Sequence, residues 1–387
     1  MDKTNQSDET KMTMGQNLWD DIFEDTEFAD AATETMIFDE LFEEENLPEV
    51  NIGTNPVNQQ PERFGFVQEL GEGAYGKVWK ADDATIGRTV AVKSYKFAGA
   101  KGAKLLDMET SIVGKIDHPG VPVLYDIQQT DDGLYHYIMK YVEGQTLENV
   151  IERLRNKDPE TQKMFKHLNR AELILQMLRT LASTHSKGIV HRDIKPENIM
   201  IGKNGEAYLM DWGIALDINE NDGEGQLSGT PRYMSPEQAQ SKAIDPRSDL
   251  FSIVGVLYEF ITLKEHGPKA SSALKMLEKI PTYMPSKMAL AEPHPELGPY
   301  PMTYCPIFVK GLQLDPNERY QSAEEMIKDL EYAMSGGMHI SCPLTLTYRI
   351  SSFFTTALVN KPVASFLGIW GGLAATAALL LFIGSQL

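Results

Sequence analysis

The sequence predicts an α+β chain with a strand-rich lobe, then a helix-rich lobe, then one apolar helix at the C-terminal end. Three observations support this prediction. Short β-like runs separated by turn residues fill about residues 61–142, helical apolar spacing prevails over about 143–335, and no charged residue follows Lys361. An apolar content of 42% is typical of a chain with a proper core, so a wholly disordered or fibrous protein is excluded.

Residues 1–60 form a strongly acidic segment ahead of both lobes. They contain sixteen acidic residues against Lys3 and Lys11, a net charge of −14 within the −19 of the 387-residue chain. The segment has too few large apolar groups to offset the entropy cost of folding, so we expect a disordered tail. The acidity also disfavours nucleic-acid binding, which requires clustered cations.

Two small apolar clusters interrupt this acidic tail. The first comprises Leu18, Trp19, Ile22 and Phe23, and the second comprises Met36, Ile37, Leu41 and Phe42. Each cluster is interpreted as a helix face that docks on an unknown partner, or as part of a solubilising tail. The residues leave both interpretations open.

Five strand-like runs and then five main helical runs follow a linker rich in Pro, Asn and Gly. The predicted strands are residues 64–70, 77–81, 89–95, 121–128 and 135–142. The predicted helices are residues 147–154, 171–185, 250–262, 306–314 and 323–334. A further helical stretch, 104–116, lies within the strand-rich lobe.

Residues 363–383 form an uncharged apolar run near the C-terminal end. At ~1.5 Å per residue, a helix of this length covers the ~30 Å hydrocarbon core of a bilayer. We therefore predict a transmembrane helix over 363–383, preceded by a juxtamembrane linker over 336–362. Arg349 and Lys361 on its N-terminal flank predict a single-pass protein whose bulk is cytoplasmic. The spacing of Gly368 and Gly372 would let two such helices pack as a homodimer.

A glycine-rich segment gives the first chemical signal. Gly71, Gly73 and Gly76 form a G-x-G-x-x-G pattern between two strand-like runs, which is weak alone because a hairpin looks the same. Strand-like residues follow it where a dinucleotide-binding loop requires a helix. Lys93 then ends the apolar run Val90-Ala-Val-Lys, where a lysine needs an anion such as a nucleotide phosphate.

Three later motifs extend the pattern. They are His191-Arg-Asp193-Ile-Lys195-Pro-Glu-Asn198, Leu209-Met-Asp211-Trp-Gly213 and Ser235-Pro-Glu237. With the glycine loop and Lys93, they resemble the eukaryotic-like (Hanks-type) serine/threonine protein kinases over roughly residues 64–335, and the segment 229–238 looks like bacterial members. The resemblance implies the bilobal protein-kinase fold, with a β-rich N-lobe over about 61–142 and an α-helical C-lobe over about 143–335.

The resemblance also implies roles for individual residues. Lys93 would pair with the phosphates of ATP and be held by Glu109, with Asp107 as the rival carboxylate. Asp193 would accept or orient the proton of the substrate hydroxyl, and Lys195 would contact the γ-phosphate. Asn198 and Asp211 would hold Mg²⁺, or Mn²⁺ in its place. The implied ATP-binding set comprises Leu70, Gly71, Gly73, Ala74, Gly76, Val78, Ala91, Lys93, Met139 and Val142.

Regulation is expected to involve the segment after Asp211. Arg192 precedes the catalytic aspartate, and in relatives such an arginine binds a phosphate on this loop. Ser228 is the single hydroxyl residue between Asp211 and Gly229. Thr230 occupies the position that in relatives contacts the catalytic loop, which here is the motif at residues 191–198. We hypothesise that Ser228 is the loop phosphorylation site, or that an acid of the same stretch pairs with Arg192; the candidates are Asp217, Glu220, Asp222 and Glu224.

The sequence thus predicts a membrane-anchored serine/threonine kinase that uses ATP and Mg²⁺ on protein substrates. One alternative is a membrane-tethered pseudokinase that recruits partners through its acidic tail. A small-molecule phosphotransferase is disfavoured by the intact Ser235-Pro-Glu237 segment and the helices after it. Thr26, Thr33 and Thr35 make the tail itself a candidate phosphoacceptor.

Overall fold

The computed structural model describes residues 36–37, 63–73, 75–221, 223–284 and 300–337. A five-stranded antiparallel sheet builds the N-terminal lobe. Its strands are β2 (Phe64–Gly73), β3 (Gly76–Asp83), β4 (Arg88–Tyr95), β5 (Leu124–Gln129) and β6 (Tyr135–Lys140), in the spatial order β2-β3-β4-β6-β5. Helix α1 (Gly99–Val113) follows β4 in the chain and contacts β6.

The alternation of side chains along β4 explains how this lobe packs. Val90 and Val92 lie on one face and join an apolar cluster with residues of β2, β3 and β6. Tyr95, on the opposite face, packs with Leu105 and Leu106 of α1. Because successive strand residues point to opposite faces, Lys93 shares the face of Tyr95 and is directed toward α1.

The C-terminal lobe is mainly helical. Its helices are α2 (Leu147–Arg155), α3 (Pro159–Met164), α4 (His167–His185), α5 (Pro236–Ala239), α6 (Pro246–Thr262), α7 (Ala273–Lys279), α8 (Cys305–Gly311) and α9 (Ala323–Met334). Its short strands are β7 (Gly144–Thr146), β8 (Ile189–Val190), β9 (Ile199–Gly202), β10 (Ala207–Leu209), β11 (Leu216–Asp217) and β12 (Ser228–Gly229). They form a β10-β9-β7 sheet and a β11-β8 pair, while β12 pairs with β1 (Met36–Ile37) of the tail.

The predicted strands and helices within the described residues are present, with ends displaced by a few residues. Helix α6, for example, begins before its apolar run because Asp245 caps it, accepting from the backbone N–H of Arg247, and Pro246 occupies the first turn. The short helices α3, α5 and α7 were not predicted, since they are too short to show a periodic apolar pattern.

None of the helices in the described ranges is both long and apolar enough to cross a bilayer. The predicted transmembrane helix at 363–383 lies outside those ranges, and so do residues 338–362 of the predicted linker. Apart from 36–37, the predicted disordered tail also lies outside them. These assignments stay predictions.

A buried ion pair joins two distant parts of the helical lobe. Arg319 donates to both carboxylate oxygens of Glu237, at 2.7 and 2.8 Å, and also to the backbone carbonyls of Gln313 and Leu314. Ser248 donates to the same carboxylate at 2.7 Å. Burial would raise the pKa of Glu237, but the hydrogen bonds and charge of Arg319 hold it below its usual value. The pair therefore connects the first turn of α5 to the loop before α9.

We expect Arg319→Met to lower the free energy of unfolding by about 3–5 kcal/mol, because it leaves the Glu237 carboxylate buried without a counter-charge. Denaturant unfolding of the purified chain measures this loss. Arg179→Met is the matched control, because the Arg179–Glu331 pair is half exposed and its atoms are 3.6 Å apart. Equal effects of the two substitutions would contradict the assignment.

Candidate active site

Lys93 is a buried cation that contacts residues of both lobes. Its Nζ lies 2.7 Å from Glu109 Oε2 and 2.9 Å from Asp211 Oδ1. Asp107, the rival carboxylate, is exposed on α1. Strand β4, helix α1 and the loop after β10 therefore meet at one ammonium group.

The charges around Lys93 stabilise one another. Burial favours the neutral form of Lys93, but the carboxylates of Asp211 and Glu109 outweigh it and hold the Lys93 pKa well above its usual value. The charge of Lys93 in turn lowers the pKa of Asp211. Asp211 keeps 45% of its side chain exposed, whereas Lys93 keeps 10%. An ionised carboxylate is therefore presented to the cleft beside a buried cation.

The glycine-rich loop has open space where a ligand could approach its backbone. A Cβ built on Gly71 or Gly73 would meet none of the described protein atoms within 4 Å, so packing within the chain does not explain these two glycines. At Gly76 a Cβ would instead lie 2.0 Å from the backbone oxygen of Ser94, which makes that glycine a structural requirement. Ala74, another predicted ATP-binding residue, lies outside the described residues. Gly71 and Gly73 thus fit the close approach of phosphates.

The other predicted ATP-binding residues come from neighbouring strands of the same sheet. The register pairs Val78 with Lys93 and Ala91 with Met139. Leu70 lies near the end of β2 and is exposed, whereas Val142, just after β6, is buried. Lys140, the last residue of β6, donates to the hydroxyl of Tyr208 at 2.6 Å. The segment that joins the lobes is therefore tied to β10 of the helical lobe.

Asp193 and Lys195 lie in a hydrogen-bonded group of the helical lobe. Thr230 Oγ1 donates to Asp193 Oδ1 at 2.7 Å and accepts from Lys195 Nζ at 2.9 Å. Asn198 donates through Nδ2 to the backbone oxygen and to Oδ2 of Asp193, both at 2.9 Å. The Asp193 carboxylate is thus held in place on both of its oxygens.

The donor set fits a hard divalent cation. The amide nitrogen of Asn198 is used by Asp193, so its amide oxygen is the atom available as a ligand. Asp211 supplies an ionised carboxylate whose pKa is lowered by Lys93. No group of three or more His, Cys, Asp or Glu side chains with metal-binding geometry occurs among the described residues. Two oxygen ligands plus phosphates and water are what Mg²⁺ typically takes.

A buried carboxylate positions the catalytic loop from behind. Asp249 of α6 accepts from the backbone N–H groups of His191 and Arg192, at 2.8 and 2.9 Å, and from His185 Nε2 at 2.9 Å. Trp212 packs edge-on against His191 with ring centres 4.6 Å apart and donates its indole N–H to a backbone carbonyl. Trp212 therefore adds packing beside His191.

Arg192 is buried and bonds to two groups that were not among those hypothesised. Its guanidinium donates to the carbonyl of Ile214 at 2.5 Å and to Gln226 Oε1 at 3.0 Å. Burial lowers the pKa of Arg192 to about 10. Asp217 and Glu220, two of the proposed acidic partners, bind Lys115 instead, at 2.7 and 2.9 Å. Pairing of Arg192 with these two acids was therefore wrong for this conformation, because Lys115 neutralises them.

The family model for the protein kinase domain matches residues 64–330 of the chain. The chain belongs to the protein kinase family. Its relatives include a probable serine/threonine-protein kinase of Streptomyces coelicolor, 31% identical over 301 residues. They also include the serine/threonine-protein kinase PknD of Protochlamydia amoebophila, 30% identical over 317 residues, and a probable PknB of Corynebacterium glutamicum, 29% identical over 282 residues. The family inferred from the motifs is confirmed.

This kinase chain spans less than half the length of those relatives. The matches cover 72%, 75% and 70% of the chain but 41%, 32% and 42% of the three proteins. The comparison therefore bears on the kinase domain and not on the rest of each relative.

The sequence reasoning missed two residues that contact the site's side chains or the segment after Asp211, Tyr95 and Lys115. Tyr95 donates to Glu109 Oε2 at 2.6 Å, so that carboxylate is shared with Lys93. Its position two residues after Lys93 on one strand was a usable signal, because alternate strand residues share a face. Lys115, just beyond α1, gave no local signal, since its partners are more than 100 residues away.

Glu197 of the catalytic loop generates a pH-dependent prediction. Burial raises its pKa to about 7, and its Oε2 has no hydrogen-bond partner within the described residues. A raised carboxyl pKa contributes stability that is present below the unfolded-state value and is lost as pH rises through about 7. Glu197→Gln should therefore stabilise the protein by about 1–2 kcal/mol at pH 8 and change it little at pH 5.

Denaturant unfolding at the two pH values measures this difference. Glu152→Gln, on the exposed side of α2, is the control and should show no such change between them. A constant effect of Glu197→Gln across this range would contradict the assignment.

Proposed function

We propose that this chain transfers the γ-phosphoryl group of ATP to serine or threonine hydroxyls of proteins. The observation that carries the proposal is the pairing of Lys93 with both Glu109 and Asp211, which places a compensated cation at the floor of the cleft. Asp193, held on both oxygens, faces the same cleft by our interpretation. Phosphoryl transfer depends on such positioning and charge neutralisation more than on covalent chemistry.

Each residue of the site has a distinct task in this proposal. The substrate hydroxyl oxygen attacks the γ-phosphorus, the bond to the β,γ-bridging oxygen breaks, and ADP departs. Asp193 orients the hydroxyl and accepts its proton. Lys195 meets the charge of the γ-phosphoryl group, and Lys93 pairs with the other phosphates. Mg²⁺ held by Asn198 and Asp211 would neutralise phosphate charge when bound.

A protein substrate is favoured by the order of the segment after Asp211. Thr230 bridges this segment to Asp193, and Glu237 at its end is fixed by Arg319. The named relatives are serine/threonine kinases, and Lys195 belongs to the Asp-x-Lys-Pro-x-Asn pattern of that class. Ser228, which is buried in this structure, stays a proposed phosphorylation site.

We further propose that the kinase domain, residues 61–335, is tethered to a membrane. The support is the uncharged run 363–383, its basic flank at Arg349 and Lys361, and its length. The kinase domain would then face the cytoplasm, with the acidic tail 1–60 extending from it and Gly368 and Gly372 available for pairing of two helices.

Asp193→Asn should lower protein phosphorylation about 100-fold or more, because the amide cannot accept the hydroxyl proton. The assay uses the full chain in detergent, labelled ATP, Mg²⁺ and a generic basic protein. Asp107→Asn, an exposed acid-to-amide change on α1, is the matched control and should keep full activity. If the unaltered chain and Asp193→Asn transfer equally little, the pseudokinase alternative replaces this proposal.

Two arginines in the middle of the apolar run should abolish membrane insertion. Leu373→Arg with Ala377→Arg places two charges near the bilayer centre, at a cost of about 2.5–3.5 kcal/mol each. We expect the unaltered chain and a Leu373→Val control to float with vesicles in a density gradient at high pH, and the double variant to stay at the bottom. Flotation of all three would contradict the proposed span.

A further inference from the structure

The helical lobe contains a cavity that the proposed kinase site does not use. It has a volume of about 390 Å³ and lies between α2, α3, the start of α4 and the end of α6. That volume falls in the range of about 300–1,000 Å³ that is typical of small-molecule sites. Three basic side chains line the cavity, Lys166, His167 and Arg170, and none of the described lining residues is acidic.

Arg170 is the most buried of these three basic residues. It is only 7% exposed, and its guanidinium donates through Nε to the carbonyl of Phe165 at 2.8 Å and through Nη1 to that of Phe260 at 2.9 Å. Burial lowers the pKa of Arg170 to about 10, with no neighbouring carboxylate to oppose it. Its Nη2 has no acceptor within the described residues, so this donor is available to a ligand.

The bonds of Arg170 to α6 explain only part of this arrangement. Phe260 lies near the C-terminal end of α6, where free carbonyls carry partial negative charge and stabilise a guanidinium without any ligand. His167 has no equivalent partner, because its Nδ1 is buried and has no hydrogen-bond partner in the described part of the chain. An unpaired buried polar atom is costly, so a polar ligand that bonds to His167 would offset this cost.

The N-terminal end of α4 adds backbone donors at the same place. Helix α4 has 19 residues and begins at His167, no side chain caps its N-terminus, and its first turn contains no acidic residue. The first N–H groups of a helix have no partner within the helix, and they favour an anion. Lys166 and His167 thus stand where negatively charged side chains are usually favoured.

The remaining wall of the cavity is mainly apolar. It includes Leu154, Phe165, Ile261 and Leu263. A ligand that fits both parts has an anionic group on the basic side and an apolar body against this wall. Because the donors come from several side chains and from the helix terminus, they suit the three terminal oxygens of a phosphate group.

We propose that this cavity binds a small organic phosphate, with the phosphate group held by Lys166, His167, Arg170 and the first turn of α4. The site is separate from the nucleotide site, and the inference does not depend on the proposed function.

The cavity lies at one end of the helix pair that supports the catalytic loop. Helix α4 packs against α6, and Arg170 joins them beside the cavity. Near their other ends, His185 of α4 and Asp249 of α6 bond at 2.9 Å behind the catalytic loop. A bound phosphate would therefore add contacts to the same pair of helices that holds this loop.

The test measures binding to the full chain in detergent by calorimetry, with phenyl phosphate as the probe. Inorganic phosphate lacks the apolar body, phenol lacks the anion, and benzoate carries a carboxylate instead of a phosphate. We expect phenyl phosphate to bind about tenfold more tightly than inorganic phosphate and benzoate, because only phenyl phosphate satisfies both parts of the cavity. Phenol should show no binding at the same concentrations. Adenylyl imidodiphosphate with Mg²⁺ should not displace phenyl phosphate.

A variant with altered charge tests the location of the site. Lys166→Gln with Gln162→Glu removes a positive charge and adds a negative one at two exposed lining residues, so the fold should be retained. It should weaken the binding of phenyl phosphate about tenfold or more. Lys163→Glu is the matched control, because it makes the same change in net charge at an exposed residue of α3 outside the lining. Its affinity should stay close to that of the unaltered chain.

Several results would overturn the inference. Equal losses of affinity in the double variant and in Lys163→Glu, or displacement by the nucleotide analogue, would place the phosphate elsewhere. Equal binding of benzoate would overturn the preference for phosphate, and binding of phenol would remove the role of the basic residues. None of these measurements involves phosphoryl transfer. A chain that binds phenyl phosphate as expected but transfers no phosphate to protein would support this inference and contradict the proposed function.

Discussion

The shared pairing of Lys93 is the interaction on which the rest of the site depends. A buried ammonium group is costly unless it is compensated, and here Glu109 of α1 and Asp211 of the loop after β10 compensate it together. The sheet, the helix and the loop are thereby held at one point between the lobes. The hydroxyl of Tyr95 adds a third contact to Glu109, so α1 is oriented by two neighbours on one strand.

In the helical lobe, the buried carboxylate of Asp249 supports the catalytic loop. The catalytic loop has its backbone N–H groups satisfied by Asp249 from α6, a helix surrounded by the apolar core of this lobe. Asp193 projects from that supported loop and is held by Asn198 and Thr230. The catalytic Asp193 thus lies on a loop whose position is fixed by hydrogen bonds to helix α6.

The segment that follows Asp211, here called the activation segment (residues 211–237), connects these two halves of the site. Lys115, just after α1, binds Asp217 and Glu220, and Thr230 bridges Lys195 and Asp193. Movement of α1 would therefore act on both Lys93 and the activation segment. The same segment carries β12, which pairs with β1, so one stretch of chain contacts Lys115, Asp193 and the tail.

The sequence by itself determined the order of strands and helices and the residue types of the site, because periodic apolar patterns and motif spacing are local properties. It also singled out Glu109, since the family resemblance supplied its partner Lys93. Only the tertiary structure decided that Lys115 neutralises Asp217 and Glu220, that Tyr208 holds the segment between the lobes, and that Met36 pairs with Gly229. Those partners are far apart in the chain, so no local pattern encodes their contact.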